Sequence, residues 1–169
     1  TAGFTEFVPL PFVHMEAPMY LKGKARKGPT FRETVLMHSV ARIAFHGHID
    51  NIQASWVKMG HEGVKACLNA GCNDLGGTLM NESISRAAGT QHGQETSSDE
   101  MRRIIRTLNR NPRQRSTAYG TVTQERENAG LSAGALSDII NTPARKYERK
   151  TPSASLVRND LIDAVNVSG

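Results

Sequence analysis

The chain has 169 residues and a formal net charge of +5, and 38% of its residues are apolar. This length and composition suit one globular domain with one hydrophobic core. No window approaches the roughly 20 consecutive apolar residues of a membrane-spanning helix, and the N-terminus lacks a charged region followed by an apolar signal segment. The composition therefore predicts a cytoplasmic protein without a membrane partner. Because the chain opens at Thr1, just before a dense apolar run, we expect it to be a piece of a longer protein.

The elements predicted from the sequence begin with a strand and a helix. The apolar run Phe4–Val13 predicts a strand that gives way to a loop near Pro9 and Pro11, since proline is poorly tolerated inside a sheet. Thr30 and Glu33 then match a capping box at a helix start. Behind this box, apolar residues recur at helical spacing up to Gly47, at Leu36, Val40, Ile43 and Ala44.

Two further strand and helix pairs follow. Asn51–Gly60 alternates between apolar and polar residues and predicts a strand, and Glu62–Asn69 predicts a short helix with Val64 and Leu68 turned inward. Cys72–Met80 predicts a third strand. Strands that alternate with helices in this way favour an α/β fold built around a parallel sheet.

The two cysteines of the chain, Cys67 and Cys72, lie within this region. They are too few for a disulfide framework, and their spacing is a poor metal signature. We therefore predict that both are ordinary buried side chains and that the chain supplies no metal ligand.

The last predicted helices precede a polar tail. Glu82–Ala88 predicts a brief helix, and Ser97 with Glu100 matches a second capping box. An apolar stripe follows that box, at Met101, Ile104, Ile105 and Leu108. From Thr121 onward the composition is polar, which predicts a first unit over residues 1–120 and a largely disordered tail with one transient helix over residues 121–169.

All the excess positive charge lies between residues 101 and 120. This segment has six arginines and no acidic residue, whereas residues 1–100 carry nine basic against ten acidic side chains. The arginines favour a solvated helix face, because no aromatic side chains are interleaved for base stacking. A noncatalytic module that binds nucleic acid through them stays open as an alternative. The six are Arg102, Arg103, Arg106, Arg110, Arg113 and Arg115.

Polar residues on the predicted strands indicate a ligand cavity. A parallel strand covered on both faces is normally apolar throughout, so a polar face such as Asn51, Gln53 and Ser55 requires partners. If the strands belong to a barrel, those partners are found at the mouth formed by the carboxyl ends of the strands. Internal hydrogen bonds are the alternative for each residue taken singly. The candidates for binding are His14, Glu16, Asn51, Gln53, Ser55, Lys58, Asp74 and Thr78, with Gly76 and Gly77 allowing close approach to the main chain.

Three stretches carry a resemblance to a known family. FVPLPFVHMEAP, NIQASWVKMG and NDLGGTLMNESISRAAG together resemble the C-terminal part of the CofH family, the tyrosine-using component of FO synthase. The resemblance runs from about Phe4 to Gly120. It implies that the three predicted strands are the last of the eight in a (β/α)8 barrel of the radical S-adenosylmethionine superfamily, which takes about 250 residues in full.

The resemblance also implies an activity. In that family a 4Fe-4S cluster cleaves S-adenosylmethionine, and the resulting radical breaks the Cα–Cβ bond of L-tyrosine. The hydroxybenzyl fragment then joins 5-amino-6-(D-ribitylamino)uracil, which a CofG-type partner converts to FO, the precursor of coenzyme F-420. Gln53, Ser55 and Asp74 match the family's motifs and lie nearest the predicted mouth, so they are the foremost candidates for contacts to substrate or S-adenosylmethionine. Lys58 is a candidate to hold a carboxylate, and a solvated loop cation is the alternative for it.

One departure from the family bears on activity. The family's CxxxCxxC motif, whose three thiolates hold the cluster, does not occur in this chain. The chain alone is therefore expected to be inactive, with the N-terminal barrel portion supplied by other polypeptide. A related radical enzyme of the menaquinone futalosine route remains the alternative within the superfamily.

Overall fold

A computed structural model describes residues 3–79, 82–92 and 94–134 of the chain. These ranges contain two strands and six helices, and no helix within them is both long and apolar enough to cross a membrane. In chain order the elements are β1 (Glu6–Phe7), α1 (Pro18–Leu21), α2 (Phe31–Ala44), β2 (Asn51–Ile52), α3 (Trp56–Asn69), α4 (Ile84–Ala87), α5 (Ser98–Arg106) and α6 (Gln124–Ser132). This mixture of helices and strands confirms the predicted α/β class.

The strands are parallel, as predicted, but much shorter than the sequence pattern suggested. β1 pairs with β2 in parallel, with Glu6 opposite Asn51, and the third strand is reduced to one parallel bridge between Gln53 and Asp74. The prediction that Asn51–Gly60 is all strand was wrong, because Ser55 is already the N-cap of α3.

The sequence analysis predicted the start of α3 too late, and a glycine inside the helix explains why. Gly60 has φ 66° and ψ 176°, which interrupts the helix by a kink. This left-handed conformation is open to glycine at little cost. The predicted helix Glu62–Asn69 corresponds to the part of α3 after the kink, whereas the turn before it follows an alternating pattern typical of a strand. In that turn Trp56 is 2% exposed and packs in the core.

The core lies between the sheet and the helices α2, α3 and α5. Val64 and Leu68 are buried as predicted, and so are Met101 and Ile104 of α5. Cys67 and Cys72 are free and buried among them, which confirms the predicted burial of both side chains. Burial of apolar surface at about 25 cal/mol per Å² is the main force that holds these helices on the sheet.

The residues of α2 that are buried are not its most apolar residues. Thr34, His38 and Ala41 face the sheet, whereas Val40 and Ile43 are 50% and 78% exposed. His38 is fully buried, and its Nδ1 lies 2.7 Å from the carbonyl oxygen of Thr34.

Part of the predicted tail is helical. The helix α6 spans Gln124–Ser132, and its N-cap Thr123 accepts a hydrogen bond from the backbone of Arg126 at 3.4 Å. An ion pair between Arg102 of α5 and Glu127 holds α6 against α5. The apolar segments Leu136–Ile140 and Leu161–Val165 lie outside the described residues. The division of the chain at residue 120 stays a prediction.

Replacing Thr30 by alanine is expected to lower the free energy of unfolding by about 1 kcal/mol, as for other N-cap deletions. The Thr30 hydroxyl accepts a hydrogen bond from the backbone of Glu33 at 3.2 Å, and the Glu33 carboxylate accepts one from the backbone of Thr30 at 2.6 Å. The measurement is urea-induced unfolding followed by circular dichroism. The exposed Thr117→Ala is the control. Equal stability of the two variants would contradict the capping role.

Candidate functional site

Polar side chains of neighbouring strands lie on the sheet face opposite the core. Glu6 stands opposite Asn51, and Gln53 stands opposite Asp74. Ile52 and Ala54, which alternate with Asn51 and Gln53, are fully buried in the core. Because successive side chains of a strand point to opposite faces, the polar residues share the other face.

Asp74 is the centre of a polar cluster on this face. Its Oδ2 accepts a hydrogen bond from Arg115 Nε at 2.9 Å, and the Tyr119 hydroxyl lies 2.5 Å from the same oxygen. The Tyr119 hydroxyl also contacts the carboxylate of Glu6, and the Arg115 guanidinium lies 4.0 Å from the centre of the Tyr119 ring. The Asp74 side chain is only 8% exposed. We call Glu6, Asp74, Arg115 and Tyr119 the Asp74 cluster.

Burial and hydrogen bonds shift the pKa values of two members of the Asp74 cluster, Tyr119 and Arg115. Burial raises the pKa of Tyr119, and hydrogen bonds to Asp74 and Glu6 raise it further, so the phenol stays protonated and donates. Burial opposes the charge of Arg115, but its hydrogen bond and ion pair with Asp74 outweigh this and raise the pKa of Arg115 above its ordinary value. Two carboxylates therefore share one guanidinium and one phenol, and all four groups have partners within the chain.

A cavity of about 320 Å³ adjoins the Asp74 cluster. Asn51 and Asn73 line it from the first residue of β2 and from the residue before Asp74, so it opens near the amino ends of the strands. Arg113 and Tyr119 line it from the segment after α5. The sequence analysis predicted that Asn51 and Asp74 lie at the mouth formed by the carboxyl ends of the strands. Their assignment as substrate contacts stays a prediction.

A second group of candidates lies at the carboxyl ends of the strands. Lys58 Nζ donates to the hydroxyl of Ser85 at 2.9 Å, and Trp56 Nε1 donates to the carbonyl of Gly77 at 3.0 Å. Ser55 is the N-cap of α3, and its side chain makes no capping hydrogen bond. These contacts join the start of α3 to the long connection between the third strand and α5.

Gln53 occupies the space beside Gly76. A Cβ atom on Gly76 would lie 2.5 Å from Gln53 Nε2, and Gly76 has φ 73°. The close approach that was predicted for a ligand is thus made by a side chain of the protein. Gly77 has nothing within 4 Å of such a position and is open. The carbonyl of Thr78 accepts a hydrogen bond from the backbone of Thr96 at 3.4 Å.

His14 and Glu16 are held near the same end by the loop after β1. The backbone of Gly28 donates to His14 Nδ1 at 3.2 Å, and the His14 ring packs edge-on against Tyr20. The backbone amide of Glu16 donates to the carbonyl of Ala88, just after α4, at 3.0 Å. The loop after β1 and the start of α3 therefore both contact the segment around α4, and the mouth hypothesis stays a prediction.

A histidine pair lines a second cavity, of about 490 Å³, on the side of α3. His61 Nδ1 lies 3.2 Å from Glu100, and His92 packs so closely on Gly60 that a Cβ there would lie 2.6 Å from its Nδ1. Burial lowers the pKa of His92, and the charge of His61 lowers it further. A neutral His92 thus fits against the kink of α3.

Several arginines of the basic segment bind groups of this chain. Arg103 pairs with Glu100 and Arg115 with Asp74, while Arg102 pairs with Glu127. These pairs neutralise half of the basic segment and reduce the support for nucleic-acid binding.

The residues that sequence reasoning missed are Glu6, Arg115, Tyr119 and Ser85. Arg115 was counted as part of a solvated basic face, and Tyr119 carried no motif. The available signal was an arginine and a tyrosine close together after a helix, opposite an aspartate on a strand that needed a partner.

Residues 1–128 match the family described as "CofH/MqnC C-terminal region". The chain is 56% identical over 122 residues to the FO synthase of Nocardia farcinica and 55% identical over 119 residues to that of Mycobacterium leprae. These matches cover 72% and 70% of this chain, and 14% of each synthase.

A shorter relative matches over a similar stretch at a lower identity. The 5-amino-6-(D-ribitylamino)uracil--L-tyrosine 4-hydroxyphenyl transferase of Methanocaldococcus jannaschii is 51% identical over 119 residues, which is 70% of this chain and 33% of the transferase. The chain thus spans between a seventh and a third of the length of these relatives. No solved structure matches the chain.

Proposed function

Since the chain belongs to the CofH/MqnC C-terminal region family, we propose that it is the C-terminal part of a transferase that joins the hydroxybenzyl group of L-tyrosine to 5-amino-6-(D-ribitylamino)uracil. The observation that carries this proposal is the 51% identity to an enzyme named for that reaction, together with higher identities to FO synthases. The product would pass to a CofG-type partner that completes FO in the cytoplasm.

The parallel strands support a barrel for the complete protein. The strands β1 and β2 lie side by side, and the bridge residue Asp74 follows β2 in the same direction, with helices packed on one face and polar groups on the other. In a (β/α)8 barrel the helices form the outer ring and the opposite face looks inward. The strands of this chain are then the last three of the barrel, and the Asp74 cluster lies inside it.

The cluster expected for this superfamily does not fit the residues of this chain. Three thiolates are needed, whereas the chain has two cysteines, and both are buried in the helical core. The ligands of the 4Fe-4S cluster must therefore come from polypeptide outside this stretch. The residues present here contribute walls and polar contacts to the chamber in which the substrates and S-adenosylmethionine bind.

The two ends of the sheet have different tasks in this proposal. The Asp74 cluster satisfies its own charges near the amino ends of the strands, which in barrels is the end associated with stability. Gln53 stands level with Asp74, and Ser55, Lys58 and Thr78 follow it toward the carboxyl ends of the strands, where barrel enzymes bind their substrates. A closed chamber at this end keeps a reactive intermediate from water.

The test is an anaerobic assay of the complete protein with reconstituted cluster, S-adenosylmethionine, L-tyrosine and 5-amino-6-(D-ribitylamino)uracil. Mass spectrometry is expected to detect the coupled product only when both substrates are present. A parallel reaction receives a futalosine-type substrate instead. Turnover of that substrate, with no coupled product in the first reaction, would replace the proposal by the menaquinone route.

Replacing Lys58 by methionine in the complete protein is expected to raise KM for L-tyrosine about tenfold or more, with a smaller effect on kcat. The Lys58 ammonium is half-buried and its described partner is a neutral hydroxyl, so it is available to bind the substrate carboxylate. A hydrogen bond to a charged group contributes about 1.5–3 kcal/mol, which is about ten- to a hundredfold in affinity.

Lys65→Met is the matched control, because Lys65 lies on the same helix and pairs with Glu62 at 2.7 Å. Steady-state kinetics with L-tyrosine varied gives both constants for each variant. If Lys58→Met and Lys65→Met have the same KM, the carboxylate does not bind at Lys58.

A further inference from the structure

We propose that Ser85 is a positioning residue for Lys58 and thereby determines that the substrate carries a free carboxylate. This inference deepens the proposed function and rests on it. Ser85 lies in α4 and is only 4% exposed. Its hydroxyl accepts a hydrogen bond from Lys58 Nζ at 2.9 Å. A buried hydroxyl thus binds the side chain that is a candidate to hold the carboxylate of L-tyrosine.

The ammonium group of Lys58 has no acidic partner among the residues that the structure describes. None of the ion pairs in those ranges includes Lys58. Lys65, on the same helix, shows the opposite arrangement, because its Nζ lies 2.7 Å from Glu62. Glu82 is the acidic residue nearest to Ser85 in the sequence, and its carboxylate accepts the backbone N–H of Ser85 at 2.6 Å. The charge of Lys58 therefore stays unbalanced within this part of the chain.

A neutral acceptor fixes the direction of the ammonium group without balancing its charge. The lysine side chain is flexible, and its ammonium has three N–H donors. Once one N–H points at the Ser85 hydroxyl, rotation about the Cε–Nζ bond of Lys58 stops, which sets the directions of the other two N–H bonds. A side chain that is ordered before the ligand arrives costs less free energy to order on binding. The hydrogen bond to Ser85 therefore prepares the half-buried Lys58 for an anionic group.

Ser85 is itself held by hydrogen bonds on both sides of its backbone. Its N–H donates to Glu82 Oε1 at 2.6 Å, and its carbonyl oxygen accepts from the backbone N–H of Thr90 at 3.0 Å. Because these bonds join residues before and after α4, they hold the short helix in place from both ends. The buried hydroxyl is therefore a fixed acceptor for Lys58 rather than a mobile group at the surface.

A purely structural link between α3 and α4 is the alternative explanation of this hydrogen bond. The two roles predict different results when the acceptor receives a charge. Ser85→Asp keeps an acceptor for Lys58 and so keeps the link, but it balances the ammonium charge. A structural link would survive this change, whereas binding of a ligand carboxylate would be lost.

The test measures binding of two probes to the complete protein by isothermal titration calorimetry. The probe 3-(4-hydroxyphenyl)propionate has the phenol and the carboxylate of L-tyrosine, and 4-ethylphenol has the phenol alone. The wild-type protein is expected to bind the propionate about tenfold or more tightly, as for a hydrogen bond to a charged group. Ser85→Ala is expected to lower this ratio about fivefold, the effect of one neutral hydrogen bond. Ser85→Asp is expected to abolish the preference, because like charges repel.

Ser83→Asp is the matched control, because Ser83 is the exposed N-cap of α4 and its side chain makes no capping hydrogen bond. This variant is expected to show the same ratio as the wild-type protein. An unchanged ratio in Ser85→Ala and Ser85→Asp, or no preference for the propionate in the wild-type protein, would overturn the inference. If Ser85→Asp does not fold, Ser85→Ala decides, because it removes only one oxygen atom from the side chain.

A labelling experiment on the wild-type protein requires no variant. Lysines are methylated reductively with and without each probe, and peptide mass spectrometry measures the modification of each one. The propionate is expected to protect Lys58 and to leave Lys65 unchanged, whereas 4-ethylphenol protects neither. Equal modification of Lys58 with and without the propionate would contradict a carboxylate site at this lysine.

Both measurements are independent of turnover, so their results are separate from that of the transferase assay. A protein that makes the coupled product but binds both probes equally keeps the proposed function and refutes the role of Ser85. A protein that makes no coupled product but shows the expected binding ratios refutes the proposed reaction and supports the role of Ser85 at a carboxylate site.

Discussion

Replacing Gly28 by alanine is expected to lower the free energy of unfolding by about 3 kcal/mol, at the upper end for overpacking. A Cβ at this position would lie 1.9 Å from the carbonyl oxygen of Phe12, a backbone atom that has no rotamer in which to move aside. The loop after β1 would have to shift as a whole. The hydrogen bond from the Gly28 backbone to His14, at 3.2 Å, would be lost with it.

Gly77→Ala is the control for this prediction, because an added Cβ there has nothing within 4 Å. Urea titration monitored by the fluorescence of Trp56 gives the free energy of unfolding for both variants. If Gly28→Ala were no less stable than Gly77→Ala, the close packing of the loop on Phe12 would be wrong. In the complete protein we expect Gly28→Ala to lower the proposed transferase activity as well, since the candidate residues His14 and Glu16 belong to that loop.

Replacing Asp74 by asparagine is expected to lower the free energy of unfolding by about 2 kcal/mol. Removing one member of a fully buried ion pair costs about 3–5 kcal/mol. The smaller value is expected here because the Arg115 side chain is 28% exposed, and water stabilises its charge in part. The change leaves Arg115 without its closest carboxylate and weakens the acceptor for the Tyr119 hydroxyl.

The exposed Asp50→Asn changes the same functional group at the surface and is the matched control. Thermal and urea unfolding of the two variants measure the difference. Adding Tyr119→Phe to Asp74→Asn is expected to cost less than Tyr119→Phe costs alone, because both changes act on one network. Full additivity of the two changes would indicate that the Asp74 cluster does not act as a unit.

Local signals in the sequence predicted the helices better than the strands. Thr30 with Glu33, and Ser97 with Glu100, begin helices as predicted, because a cap is formed by residues only three apart. The strands were predicted too long, because alternation of apolar and polar residues also runs through the first turn of α3. Only the three-dimensional pairing of β1 and β2 shows where the strand ends.

The Asp74 cluster shows why the site was harder to predict than the fold. The partners of Asp74 lie 41 and 45 residues later in the chain, at Arg115 and Tyr119. Composition indicated a basic segment and polar strands, but no local pattern joins a given arginine to a given aspartate across that distance. For the same reason Asp74 was expected to await a ligand, whereas its charge is balanced within the chain.

The hydrogen bond between the Tyr119 hydroxyl and Glu6 can form only late in the synthesis of the chain. The two residues are 113 positions apart, so the first strand emerges from the ribosome long before its phenol partner exists. At about 5–20 residues per second, translation separates the two by on the order of ten seconds. Throughout that interval the carboxylate of Glu6 lacks this hydrogen-bond partner, and the Asp74 cluster is complete only after Tyr119 has been synthesised.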